Sequence, residues 1–152
     1  MQPSTRGVGI HKGGWLALVL RLPVDDPSGR MRVLRTLETL GCAILRDGVY
    51  LLPDAVENRQ SLGSLAEHVR RLNGTAHMLT LRAYDDAQAA EFRALFDRSG
   101  RYDELRKTVE SLSAAFGISD PASIARVLAK QRKEFEAICA LDFFPSEAQL
   151  LT

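Results

Sequence analysis

Arginine is the chemistry-bearing residue of this sequence. Arg30, Arg32 and Arg35 fall in one short segment, and Arg46 follows in Arg46-Asp47-Gly48-Val49-Tyr50. A guanidinium is planar, always charged, and can chelate two oxygens of a carboxylate, phosphate or other oxyanion. At helical spacing Arg32 and Arg35 lie about 60° apart, with Thr36 and Thr39 beside them, opposite an apolar stripe of Met31, Leu34 and Leu37. Such a face is either a solvated surface or a contact for anions. Arg30 falls inside the apolar arc of the first turn, where a cation opposes the helix dipole and needs a compensating anion. Asp26 or Asp47 can supply that anion from within the chain, and a bound oxyanion is the alternative. Arg46 and Tyr50 belong to a tight turn with an exposed charge pair, or else project from one sheet edge toward an anion. Arg30, Arg46 and Tyr50 are therefore the candidate anion-binding residues.

Signatures of catalysis are missing from the sequence. There is no GxGxxG, Walker loop, HExxH or nucleophile elbow. His11, His68 and His77 fall in an arm, a helix and a strand, with no carboxylate or thiol at ligand spacing. Asp25-Asp26 follows the first strand, where paired carboxylates either bind a divalent cation or form a solvated loop. Arg98, Arg101, Arg106 and Lys107 surround an interruption in a helical pattern, and acidic neighbours point to surface ion pairs there. Cys42 and Cys139 form no CxxC motif and are expected to be two independent buried thiols. No catalytic residue, metal ligand or cofactor is expected.

The elements that position these side chains follow from length and pattern. With 152 residues, 45% of them hydrophobic and 26% charged, the chain is long enough for one packed domain with an appendage and too apolar for intrinsic disorder. Its longest apolar run, Trp15 to Leu20, is far short of the roughly 20 residues of a membrane span. No signal-peptide pattern opens it, so a soluble cytoplasmic protein is expected. A net charge of +1 conceals an asymmetry: residues 1–53 carry seven basic and four acidic side chains, residues 85–152 nine and twelve.

Residues 1–14 are glycine-rich and aperiodic, and are expected to form a flexible arm. Trp15 to Leu22 is apolar on both faces, as in a central strand. A helix follows, with Ser28 as its expected N-cap and Gly41 ending it. Two short apolar runs joined by Asp47-Gly48 predict a hairpin, because glycine accepts the positive φ of a primed turn. Asp54 and Glu57 resemble a capping box for a second helix bearing Leu62, Leu65, Ala66, Val69 and Leu72. Thr75 to Ala83 reads as a fourth strand. The fold class is thus α+β: a ferredoxin-like βαββαβ domain over residues 15–84, then a two-helix hairpin over 85–152. In that hairpin Phe116-Gly117-Ile118 looks like a glycine C-cap, and Asp120-Pro121 opens the last helix.

Several blocks together resemble the N-terminal domain of the chromate-resistance regulator family ChrB. They are Trp15-Leu16 through Arg21-Leu22-Pro23, the helix from Arg30 to Gly41, and Leu45-Arg46-Asp47-Gly48-Val49-Tyr50-Leu51-Leu52-Pro53. Phe92 to Arg98 with Tyr102, and Asp142-Phe143-Phe144-Pro145, extend the match over most of the chain. Leu34 departs from it, standing where the family usually has tryptophan. The resemblance implies a cytoplasmic, chromate-responsive transcriptional regulator, with promoter DNA of a chromate efflux operon as partner, chromate as effector, and a homodimer. Phosphate contacts would then come from Arg32, Arg35 and Arg46. Full-length members continue into a second domain, whose activities do not carry over. More distantly, the hairpin resembles the middle domain of PaaX-type repressors, and through it the metal-dependent ferredoxin-like nucleases of CRISPR adaptation. A nuclease using Asp25 or Asp26 is therefore the enzymatic alternative, and a purely structural dimerisation module the third.

Overall fold

The computed structural model describes residues 14–118 and 120–152. In chain order they form β1 (Gly14–Arg21), α1 (Pro27–Thr39), β2 (Ala43–Arg46), β3 (Val49–Pro53), α2 (Val56–Arg71) and β4 (Thr75–Arg82). Then follow α3 (Asp86–Ala94), α4 (Ser99–Ala115), a 3-10 turn (Phe116–Ile118), α5 (Pro121–Leu141) and α6 (Glu147–Leu151). The chain divides into two compact units, one ending at Leu95 and one spanning Phe96–Thr152.

In the first unit β1 is a central strand because it is apolar on both faces. It pairs antiparallel with β3 on one side and β4 on the other, giving the sheet order β2-β3-β1-β4. Leu16, Leu18 and Leu20 alternate onto one face with their partners Leu52, Tyr50 and Ala76, all buried. α2 lies over this face, its Gly63 directly above the Met78 sulfur. Val33 and Leu37 of α1, with Leu62, Leu65 and Val69 of α2, complete the core; each such side chain contributes about 1.5–3 kcal/mol on leaving water. Trp15 points to the opposite face, where Phe92 of α3 meets it edge-on at 5.5 Å and 82°.

The Asp47-Gly48 turn joins β2 and β3 as the sequence predicts, but it is not a primed turn, because of the two central residues only Gly48 has positive φ. Gly48 has φ +77°, and its carbonyl accepts the Leu20 N–H at 2.8 Å, so a Cβ there would crowd the Leu20 carbonyl. One feature was not predicted: a bulge lies between Ile44 and Arg46, which opposes Val49.

Four local expectations are corrected. The N-cap of α1 is Asp26, not Ser28: its carboxylate accepts the Gly29 N–H at 2.9 Å, and Pro27, with φ already helical, takes the first position. Ser28 instead donates its hydroxyl to Asp26 at 3.3 Å. The buried stripe of α1 centres on Val33 and Leu37, leaving Met31 49% exposed. Asp54 and Glu57 form no capping box; Ala55 is the α2 N-cap, and Asp54 holds Arg59 through two contacts, of 2.5 and 2.7 Å. Gly117 is no left-handed cap, because a 3-10 turn continues from α4.

The helical segment is more divided than a two-helix hairpin: in chain order the short α3 belongs to the first unit, and the second unit holds α4, α5 and the short α6. The interruption at Asp97 is real: its carboxylate accepts both the N–H and the hydroxyl of Ser99, and these bonds hold it below the usual carboxylate range. Asp120 caps α5 through the Ser123 N–H at 3.3 Å, ahead of Pro121. Tyr102, Leu105 and Ile138 form the core of the second unit, with Val109, Phe135, Cys139 and Ala148 around them. Both cysteines are free thiols, half-buried rather than buried as the sequence predicts. Among the described residues no helix is long and apolar enough to cross a membrane. The predicted arm over residues 1–14 lies outside the described residues except for Gly14.

Candidate anion-binding site

α1 is the element that presents arginine. Its cap and proline fix where the first turn starts, and burial of Val33 and Leu37 fixes its rotation, so that Arg32 and Arg35 face outward. With Ser28, Met31, Thr36 and Thr39 they line an open groove along the helix. The Thr36 and Thr39 hydroxyls each donate to a carbonyl one turn back, Arg32 and Arg35 respectively, at 2.9 Å. The guanidinium groups remain the charged donors of the groove.

Arg30 and Tyr50 are brought together, and Arg46 is not. Arg30 is exposed on the core-facing flank of α1, close enough to Tyr50 to act on it electrostatically. The Tyr50 phenol is held above its ordinary value first by burial and then by the Asp47 charge, with Arg30 pulling the other way and Cys42 adding a smaller push upward. Burial also pushes the neighbouring Cys42 thiol up to about 12. Tyr50 pairs with Ile44, whereas Arg46 opposes Val49, one residue earlier on β3. Successive strand residues point to opposite faces, so Arg46 stands on the side of the sheet away from Tyr50.

None of Arg30, Arg32, Arg35 and Arg46 forms an ion pair with another described residue. Asp26, one internal partner expected for Arg30, is engaged with Gly29 and Ser28 instead. Among the described residues no three His, Cys, Asp or Glu side chains gather as metal ligands would.

A second polar cluster was missed by sequence reasoning. Tyr102, fully buried on α4, donates its hydroxyl to the buried Asp142 carboxylate at 2.9 Å. The Cys139 sulfur lies 3.6 Å from the same hydroxyl and accepts from Gln149 Nε2 at 3.2 Å. Burial, followed by these two neighbours, drives the Tyr102 phenol far upward, so it stays protonated and serves as a donor. The only signal was that Tyr102 and Asp142 both fall in blocks of the family resemblance; nothing local links residues 40 positions apart.

Comparison with known proteins agrees with the resemblance. No solved structure matches this chain. A curated protein of Cupriavidus metallidurans, Protein ChrB, is 42% identical over 134 residues, which cover 88% of this chain and 41% of that protein. The chain therefore spans less than half the length of that relative. The family described as "Protein ChrB, N-terminal" matches residues 30–116, a stretch that contains Arg30, Arg32, Arg35, Arg46 and Tyr50. This chain belongs to the ChrB N-terminal domain family.

Proposed function

We propose that this chain is the N-terminal module of a chromate-responsive transcriptional regulator involved in chromate resistance, and that it holds anions through arginine without catalysing a reaction. One observation carries the proposal: Arg32 and Arg35 share an exposed groove on α1, with no carboxylate partner among the described residues. Phosphates of promoter DNA are the anions that this groove would contact, with Arg46 adding a contact from the hairpin. The sheet order β2-β3-β1-β4, reached through two crossing helices, supports reading the first unit as ferredoxin-like. A homodimer would double the arginine surface and match a two-fold promoter site. A regulator that contacts promoter DNA would act in the cytoplasm. Chromate, a tetrahedral dianion, is assigned to Arg30 and the Tyr50 hydroxyl, which lie on the same flank.

Labelled promoter DNA of a chromate efflux operon, titrated at several salt concentrations, tests the DNA contact. Each phosphate contact contributes about 0.9 to the slope of log affinity against log salt. Arg32→Ala with Arg35→Ala should therefore lower that slope by about two, and an unchanged slope refutes the assignment. Calorimetric titration of chromate and sulfate should weaken with Arg30→Ala and change less with Arg46→Ala; indistinguishable isotherms remove Arg30 from sensing. Against the nuclease alternative stands the engagement of Asp26 as a helix cap. Mg²⁺-dependent cleavage of RNA or DNA that disappears with Asp25→Ala would overturn the non-enzymatic proposal.

A further inference from the structure

The second unit carries a basic surface that the sequence reading did not single out. Residues 96–152 hold eight basic and nine acidic side chains, yet residues 121–133 hold Arg126, Lys130, Arg132 and Lys133 and no carboxylate. These cations are segregated by helix geometry as well as by sequence. α5 buries Ile138 and packs Phe135 against the core, and at 100° per residue Arg126, Lys130 and Lys133 fall within about 60° of one another, about 80–140° round the helix from Ile138. All three are exposed, as are Ala122, Ala129 and Ala137 on the same outer side, and the exposed Glu136 borders the stripe about 60° round from Lys133. None of the three cations forms an ion pair with a described residue; Arg126 makes one weak bond of 3.4 Å to the Ala122 carbonyl. Glu134 is turned aside to Arg101 of α4, 3.5 Å away.

We infer that this stripe of α5 is a track for the phosphate backbone of duplex DNA. The inference rests on the DNA-binding function proposed above and assigns a second contact surface to it, separate from α1. The stripe is about 10.5 Å long at the helical rise, close to the axial rise across four successive phosphates on one strand, each about 3.4 Å further along the axis than the last. Exposed alanines between the cations let a flat polyanion approach the helix closely. They also disfavour a lipid surface as occupant, because a helix that lies in a bilayer interface needs bulky apolar side chains to insert.

The test compares Arg126→Gln/Lys130→Gln/Lys133→Gln with Arg32→Gln/Arg35→Gln, using the whole chain and a labelled random-sequence duplex over a salt series. Glutamine keeps helix propensity and removes charge, and circular dichroism verifies that α5 persists. The α5 variant should lose about 2.7 from the salt slope and the α1 variant about 1.8; Lys130→Arg/Lys133→Arg should bind as the original chain does. If the α5 variant keeps the full slope while the α1 variant loses its share, the track is refuted and the DNA-binding function stands. If the original chain shows no salt-dependent binding to DNA, both fall. Capture of phosphatidylserine vesicles through the same three residues, without duplex binding, would make the occupant a membrane and overturn the inference.

Discussion

Removing one oxygen from the second unit should cost more than most surface changes in this protein. Tyr102→Phe keeps the ring, which is fully buried, and deletes only the hydroxyl that donates to Asp142 at 2.9 Å. A hydrogen bond to a charged acceptor is worth about 1.5–3 kcal/mol, and its loss also leaves a carboxylate that is only 7% exposed short of a donor. The expected destabilisation is about 2–3 kcal/mol, or roughly 4–12 °C in melting temperature for a chain of this size. Urea unfolding followed by far-UV circular dichroism measures it. Asp142→Ala should cost a similar amount, because it strands the Tyr102 hydroxyl in the core. The double variant should cost less than the sum, with a coupling of about 1.5–2.5 kcal/mol. Additive costs would show that hydroxyl and carboxylate do not depend on each other, and would refute the account of how α4 is tied to the end of α5.

Two other consequences follow from the first unit. Asp26→Ala should destabilise it by about 1 kcal/mol, the usual worth of an N-cap, while Ser28→Ala changes less than about 0.5 kcal/mol because its hydroxyl caps no backbone N–H; equal losses in thermal melts would reject Asp26 as the cap. Cys42 predicts alkaline sensitivity. Its thiol is raised from 9.0 to about 12 in the fold, so its contribution is complete below 9.0 and falls as pH climbs toward the folded value, by at most about 1.4 kcal/mol per pH unit. Urea midpoints measured across that interval should decline, and Cys42→Ala should flatten the decline; an equally steep loss in the variant would exclude the thiol as its source.

What the sequence disclosed depended on whether the signal was local. The Asp47-Gly48 hairpin, the both-sided apolarity of β1 and the Asp120-Pro121 helix start are each determined by a few neighbouring residues, and each is present. Arg32 and Arg35 could be placed on one face because helical period alone decides that. Pro27 was ambiguous, since it both ends a loop and begins a helix, and the cap was misplaced by two residues as a result. Rotation of α1 by part of a turn, from Met31 toward Val33, is set by what the sheet offers to pack against and has no local marker. The bulge that separates Arg46 from Tyr50 is likewise invisible in a sequence whose alternation looks regular. Phe92 meets Trp15, and Tyr102 meets Asp142, only through tertiary packing.

The charge excess of the first unit has a structural explanation that links these elements. Three of its ten carboxylates hold local structure: Asp26 caps α1, Asp54 clamps Arg59, and Asp85 caps α3 by accepting the Gln88 N–H at 2.8 Å. Each of these contacts stabilises a helix start and at the same time removes an acid that could have neutralised an arginine elsewhere. A cation without a partner on a rigid, capped helix keeps its full field in the groove it lines, since neither fraying nor an internal ion pair diminishes it. Shifting one carboxylate onto the outer face of α1, as in Thr36→Glu, should therefore weaken anion binding at Arg32 without unfolding the helix, because glutamate is a good helix former and the position is one turn from that guanidinium. Salt titration with DNA would read the change as about one lost phosphate contact, and an unaltered slope would mean that the field at Arg32 does not hold the anion.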